Sequence, residues 1–396
     1  MNNKNINIVL ISPAGYGGIQ SWCIQYGTFL TDIGYNVTII WEQDKSNQIQ
    51  NPKVPNSINE INYLGGTFVN QYRALKRMIN LLKGANIVYP NTSSIGYRAL
   101  AGLGTNRPLI IAGCHSLDEH DLNTITQFEP ICDAIFTLSK NMATILKKQV
   151  PESSHNKINI IRHGIDTNTK TLPLLLNKTI QLVFVGRLDD NKRPQLTIEI
   201  TKKLLQKGIN VKLKIIGDGP LKNKLSEIII KNNLTKHIYL LGNLDKQDVN
   251  YIYSKSHFTL LLSKSEGFGL VVLEAMSNGS IPIVTDTVGA GEIIKNEYDG
   301  FIIKSENIID DTINVVSKVS NQLKYLENLS LNARETAKKH NQKKSFEYHL
   351  KLFRSTIHLN NKPHQARTIK INYKNGILDN RFIPSIFTYY VRKLLY

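Results

Sequence analysis

Short apolar runs alternate along this chain with longer stretches in which apolar residues return every three or four positions. In the first half the runs are "INIVLIS", "YNVTIIW", "ANIVYPN", "RPLIIAGCHS", "AIFTLSK" and "INIIRHG", separated by amphipathic segments such as "GGIQSWCIQYGTFLTDIG". Strands spaced by helices of this length predict βαβ units and a parallel sheet. The alternation breaks at "DTNTKTLPLLLNK", residues 166–178, which reads as a linker. It restarts with "IQLVFVGR", "NVKLKIIGDG", "IYLLGN", "HFTLLLS", "SIPIVTD" and "GFIIK", again with helical segments between them. The expected class is therefore α/β with two doubly wound, Rossmann-like parallel-sheet domains, residues 1–165 and 179–342. An amphipathic helix over residues 343–359 closes the pattern, and a basic, aromatic tail fills residues 360–396.

Composition narrows the possibilities. Two domains suit 396 residues, because one core seldom keeps growing beyond about 250–300. Hydrophobic residues at 41% and charged residues at 20% are ordinary values for a globular chain. The first apolar run, residues 6–11, is too short for a signal segment and lacks a basic flank. No run approaches the ~18 continuous apolar residues of a membrane span. Cys23, Cys114 and Cys132 are few, odd in number and without metal-type spacing, which suits a reducing compartment and a cytoplasmic protein. The net charge of +18 fits nucleic acid, an anionic membrane or a phosphate-bearing substrate, and a lysine-rich composition contributes to it independently of function.

In open α/β sheets ligands bind beyond the carboxyl ends of the strands, so the loops there carry the candidate chemistry. Gly15, Gly17 and Gly18 in "SPAGYGGIQ" follow the first strand and open the first helix. Bare backbone N–H groups and a helix N-terminus can hold a phosphate there, although the spacing is not that of a dinucleotide loop and a plain turn explains one or two of the three glycines. In "FVGRLDDNKRP" the strand ends at Gly186, and Arg187 and Lys192 follow. A guanidinium fork beside an ammonium suits a diphosphate, while the charges of a solvated loop are the competing reading. In "LLLSKSEGFGLVVLEAMSNGSIPIVTD", Glu266 lies beyond a strand end, and Gly267 and Gly269 open the backbone before a helix that carries Glu274. Eight residues separate the two glutamates, about two helical turns and roughly one face, so that one carboxylate can serve a sugar and the other a ribose.

Taken together, these segments resemble the Glu-x7-Glu signature of retaining GT-B glycosyltransferases, the large group 1 family of lipopolysaccharide and polysaccharide type. "SEGFGLVVLEAMSNGSIPIVTD", "VGRLDDNKRP", "IIRHGID", "IIGDGPLKNKL", "IYLLGN" and "AGCHS" match its landmarks in order, over roughly residues 6–355. The resemblance implies a nucleotide-sugar donor, a UDP- or GDP-sugar, held mainly by the C-terminal domain. It implies a glycan or lipid-linked acceptor at the N-terminal domain, and a closing helix that returns to that domain. Carried over, Arg187 and Lys192 bind the diphosphate, Glu274 the ribose, and Glu266 with Gly267, Phe268, Gly269 and Leu270 the donor sugar. Gly17 and Gly18 approach the phosphate or sugar from the other domain, and His115 contacts the sugar near the reaction centre, so that His115, Glu266, Arg187 and Lys192 form the catalytic set. Three positions depart from the pattern: His163 replaces an asparagine, "VGAGEII" replaces Gly-Gly-x-x-Glu, and Lys192 precedes Arg193-Pro194 where glycine is usual.

No Asp-x-Asp occurs, and the cluster Asp118, Glu119, His120 and Asp121 lacks metal-ligand spacing, so the two cations are expected to do the work of a metal and no cofactor is expected. The family implies retention of configuration and a place in bacterial surface-polysaccharide or lipopolysaccharide synthesis. A non-hydrolysing nucleotide-sugar epimerase shares the architecture but needs acid–base carboxylates that the sequence does not display. A nucleic-acid binder is disfavoured because the cations are scattered and no aromatic-interleaved array accompanies them. The tail from residue 360 has seven Lys or Arg against one acid, Asp379, beside aromatic residues. Together with "QYRALKRMINLLK", residues 71–83, it suits the inner face of an anionic plasma membrane, with packing on the protein or a contact with a partner as the alternative.

Overall fold

The structure, a computed structural model, describes residues 5–15, 17–44, 50–65, 70–166, 179–287, 289–304 and 306–359. Two compact units are present: one takes the chain to Ile161 and the closing helix from Phe346, and the other takes Arg162–Ser345. All of the expected linker except Asp166, and all of the basic tail, lie outside the described residues.

The first unit holds strands β1 (Asn7–Pro13), β2 (Asn36–Asp44), β3 (Asn59–Gly65), β4 (Ile87–Tyr89), β5 (Leu109–Cys114), β6 (Ala134–Thr137) and β7 (Ile158–Ile160). Its helices are α1 (Gly18–Asp32), α2 (Gln71–Leu82), α3 (Ser94–Gly102), α4 (Glu119–Phe128) and α5 (Lys140–Lys147). The second unit holds β8 (Ile180–Val185), β9 (Val211–Ile216), β10 (Ile238–Gly242), β11 (Phe258–Leu261), β12 (Ile281–Thr285) and β13 (Phe301–Ile303). With them run α6 (Pro194–Gln206), α7 (Lys222–Lys231), α8 (Lys246–Ser254), α9 (Leu270–Ser277), α10 (Ile308–Ser320) and α11 (Leu323–Lys339), and α12 (Gln342–Leu359) follows.

Both sheets are parallel throughout, in the orders β3-β2-β1-β4-β5-β6-β7 and β10-β9-β8-β11-β12-β13. The doubly wound class read from the sequence is therefore what forms. Helices on both faces explain why the central strands are continuous apolar runs: Ile8–Ile11 in β1 and Phe258–Leu261 in β11 are buried. Strand order reverses between β1 and β4 in one sheet and between β8 and β11 in the other. At such a reversal the loops leaving the two strands diverge to opposite faces and open a crevice.

Helix α12 joins the core of the first unit through aromatic contacts. Phe346 packs on Tyr26 and Phe29, His349 on Trp22, Tyr26 and Phe136, and Phe353 on Tyr35. All three cysteines are free and buried. Among the described residues no helix is long and apolar enough to cross a membrane.

Candidate functional site

In the second unit, the strand order sets the loop after β8 beside the loop after β11, and these two loops carry most of the expected donor residues. Gly186 ends β8, and the backbone of the following loop is shaped by its neighbour after β9. A side chain on Gly217 would meet Gly186 O at 2.0 Å, and one on Gly219 would meet the Leu188 backbone at 2.6 Å, so both glycines are needed for loop-to-loop contact. Leu188 N donates to Asp218 O and Leu221 N to Leu188 O, at 2.9 Å each, which locks the Gly186–Leu188 turn.

Beyond that turn the cations differ. Lys192 is held: its backbone N–H donates to Asp189 Oδ1 at 2.9 Å, and its ammonium forms an ion pair with Glu266. Ser263 Oγ donates to the same carboxylate at 3.3 Å. Arg187 has a side chain 71% exposed and stands 3.5 Å from Asp189, so it remains able to swing toward an anion. The two loops are also stitched by Asn191, whose side chain bonds Ser265 N and Ser265 O at 3.1 and 3.2 Å.

Glu266 lies in the loop, and α9 begins only at Leu270, after Gly269 in the left-handed region at φ 85°. Helical periodicity therefore does not relate Glu266 to Glu274, contrary to the spacing argument, because the glycine cap separates them. Phe268 is buried against His163 and His340, so only its main chain is available to a ligand. Gly289 underpins this loop, since a side chain there would strike Gly267 O at 2.4 Å. Glu274 projects from α9 with no hydrogen bond or ion pair to its carboxylate among the described residues. Burial pushes its carboxyl above the usual range, and Lys246 pulls the other way. A partly buried carboxylate without donors is costly until something supplies them.

In the first unit, Gly17 and Gly18 stand at the carboxyl end of β1, where Gly18 opens α1. Gly15 alone of the described glycines there needs its freedom, at φ 104°, and its N–H donates to Asn51 Oδ1 at 3.1 Å. Gly17 is extended, and a side chain on it would meet Gln20 Oε1 at 2.7 Å. His115 follows β5 and is buried against Trp22 and Phe136. Its Nε2 lies 2.8 Å from Asn91 Oδ1. Asn91, at the end of β4, spends its amide N–H on Ile11 O at 2.7 Å, so its Oδ1 is the acceptor and His115 carries the proton on Nε2. Burial lowers the His115 pKa to about 3, which keeps the ring neutral at physiological pH and its Nδ1 an acceptor.

Asn91 is the residue the sequence does not announce. Its signal is only a Pro-Asn turn after a three-residue strand, and its value comes from β4 lying between β1 and β5 in the sheet. The cluster at Asp118–Asp121 proves local: Asp118 caps α4 by accepting from Asp121 N, and Asp121 accepts from Ser116. Among the described residues no three His, Cys, Asp or Glu gather as a metal site.

Known proteins resemble this chain in family and in fold. The family model of glycosyl transferases group 1 matches residues 169–336, and that of glycosyltransferase family 4 matches residues 16–169. An uncharacterized glycosyltransferase of Methanocaldococcus jannaschii is 30% identical over 209 residues, 52% of this chain and 55% of the relative. The Escherichia coli UDP-Gal:alpha-D-GlcNAc-diphosphoundecaprenol alpha-1,3-galactosyltransferase is 33% identical over 193 residues, 45% of this chain and 49% of that one. The matches thus span about half the length of these relatives. Among solved structures, a sucrose-phosphate synthase from Thermosynechococcus elongatus superposes with TM-score 0.76 at 17% identity, covering 89% of this chain and all of that one. Anabaena HepE in complex with UDP-glucose gives 0.73 at 14% identity, covering 88% of this chain and all of that one. With two family models matching consecutive stretches over both of its parallel sheets, the chain belongs to the group 1 glycosyltransferases and has their GT-B class of fold.

Proposed function

We propose that the protein is a retaining, metal-independent glycosyltransferase that moves a sugar from a UDP- or GDP-sugar to a glycan or lipid-linked acceptor. The observation that carries this reading is the grouping at the β8/β11 reversal of a held ammonium, Lys192, a mobile guanidinium, Arg187, and the Glu266 carboxylate. As the nucleoside diphosphate leaves, negative charge grows on its phosphate oxygens. Lys192, already fixed in place, stabilises that charge without reorganising during the step, and the exposed Arg187 can swing in beside it. Glu274, without a hydrogen-bond donor to its carboxylate among the described residues, suits the paired hydroxyls of a ribose. Glu266 and the main chain of Gly267–Leu270 suit the hydroxyls of the donor sugar. Gly17, Gly18 and His115 are the first unit's own contacts with phosphate or sugar, His115 acting as a neutral hydrogen-bonding group and not as an acid.

The acceptor class draws support from the E. coli relative, whose name specifies a diphosphoundecaprenol-linked acceptor, and the donor class from HepE, solved with UDP-glucose. A cytoplasmic enzyme of bacterial lipopolysaccharide or surface-polysaccharide assembly, docked at the inner face of the plasma membrane, is the setting this reading implies. The test is a thermal-shift screen of nucleotides and nucleotide sugars, followed by an assay of nucleoside diphosphate release with and without excess chelator. A stabilising nucleotide and chelator-resistant turnover, with an α-linked product from an α-linked donor, are expected. Loss of turnover in chelator with rescue by magnesium or manganese would overturn metal independence, and interconversion of free nucleotide sugars would point to an epimerase.

A further inference from the structure

Arg193 is one of four described non-glycine residues with positive φ, at φ 49° and ψ 49°, and it is the cap residue before α6, with Pro194 at the helix start. The left-handed region strains a side-chain-bearing residue, and glycine occupies it freely. A helix entry alone therefore gives no reason for arginine here. What the side chain does is specific. Its Nε donates to Leu262 O at 2.5 Å and its Nη2 to Ser263 O at 2.9 Å. These are the two carbonyls immediately beyond β11, in residues that are themselves buried. At a strand reversal the neighbouring loops diverge, so such carbonyls lose ladder partners and need donors from elsewhere; Ser263 O also accepts from Thr285 Oγ1 at 2.6 Å. The planar guanidinium meets two successive carbonyls with one rigid group, which an ammonium cannot do.

The consequence lies on either side of the fork. Lys192 precedes Arg193, and Glu266 comes three residues after Ser263. Lys264 N donates to Asn191 O at 2.8 Å, so the two loops are pinned both before and after Lys192. Resting on the donor-site reading above, we infer that Arg193 is a positioning residue that fixes the register of Lys192 against Glu266. It touches neither donor nor acceptor, and its effect on turnover passes through Lys192.

The experiment is a double-mutant cycle on nucleoside diphosphate release, using whichever UDP- or GDP-sugar the wild-type chain turns over. Arg193→Gly relieves the backbone strain but leaves buried carbonyls without the fork's donors, so the two effects oppose each other and its melting temperature should stay close to that of the wild type. Its kcat should fall about 10- to 100-fold, the size expected when a catalytic group is misplaced by an ångström or less. Arg193→Lys, which keeps the charge but not the fork, should not recover kcat. In a Lys192→Ala background, adding Arg193→Gly should change kcat by less than about twofold, because the group being positioned is gone. Wild-type turnover in Arg193→Gly, or an equal loss in both backgrounds, would overturn the inference while leaving the donor site intact. If Arg193→Gly melts below the wild type, Arg193→Gln is read in the same cycle, and additive losses there count against the inference. Absence of any turnover by the wild type would remove the donor site and this inference with it.

Discussion

The two strand reversals have the same topology and opposite chemistry. At β8/β11 the diverging loops present Arg187, Lys192, Arg193 and Glu266, tied together by ion pairs and side-chain bonds to the backbone. At β1/β4 the residues are glycines and Asn91, with His115 alongside from β5, neutral and bonded to the Asn91 amide. A parallel doubly wound sheet supplies the crevice in either case, and the side chains grafted on it decide what each crevice can bind. Under the proposed function, charge at one and neutral polarity at the other would give the leaving diphosphate to the second unit and uncharged hydroxyl groups and backbone contact to the first.

Removing the held cation should break this contrast most severely. Lys192→Ala is expected to lower kcat by about 10²–10³, the cost typical of losing one preorganised electrostatic group. Steady-state release of nucleoside diphosphate measures it, and near-wild-type turnover would show that the ammonium does not face the leaving group.

The neutral side of the contrast shows itself in pH dependence. His115 and His349 have pKa values lowered to about 3 by burial, and His115 adds to the effect on His349. Unfolded, each binds a proton near pH 6.5, so below that pH the unfolded chain holds more protons and folding is penalised. The penalty is absent above pH 6.5 and grows by about 1.4 kcal/mol per pH unit as pH falls toward 3, reaching about 2 kcal/mol per histidine at pH 5. His349→Phe, which keeps an aromatic ring in its cluster, should lose less melting temperature between pH 7 and 5 than the wild type. Parallel losses in the two proteins would mean that His349 is not buried in its neutral form.

A smaller effect is expected at Arg187. Exposed and only loosely paired, it is less preorganised than Lys192, and Arg187→Ala should reduce kcat by roughly tenfold, an effect that shrinks in high salt because exposed charges are screened. A loss as large as that of Lys192→Ala, insensitive to salt, would erase the distinction between held and mobile cation.

How far the sequence reveals this architecture depends on how local each signal is. The parallel strands are legible because burial on both faces makes them continuous apolar runs. Glu266, Arg187 and Lys192 are legible because each sits just past such a run. Arg193 shows in the sequence only as a residue out of pattern, since its left-handed backbone and its two carbonyl partners about seventy residues away belong to the tertiary structure. Asn91 is hidden for the same reason: its partners Ile11 and His115 come from strands on either side of β4. The supposed helical relation between the two glutamates fails at Gly269, a cap whose φ is not visible in the spacing.

The central claim is that the second unit binds a nucleotide-sugar donor, with Glu274 at the ribose and Glu266 at the sugar. Calorimetric titration of UDP and GDP into the wild type, Glu274→Gln and Glu266→Gln tests it most directly. Hydrogen bonds to a charged group are worth about 1.5–3 kcal/mol, so Glu274→Gln should weaken the preferred nucleoside diphosphate by roughly 10- to 100-fold. Glu266→Gln should weaken that affinity clearly less, because the diphosphate carries no sugar for its carboxylate to hold and the change reaches it only through the ion pair with Lys192. Equal losses in the two variants, or binding of neither nucleotide by the wild type, would contradict the account.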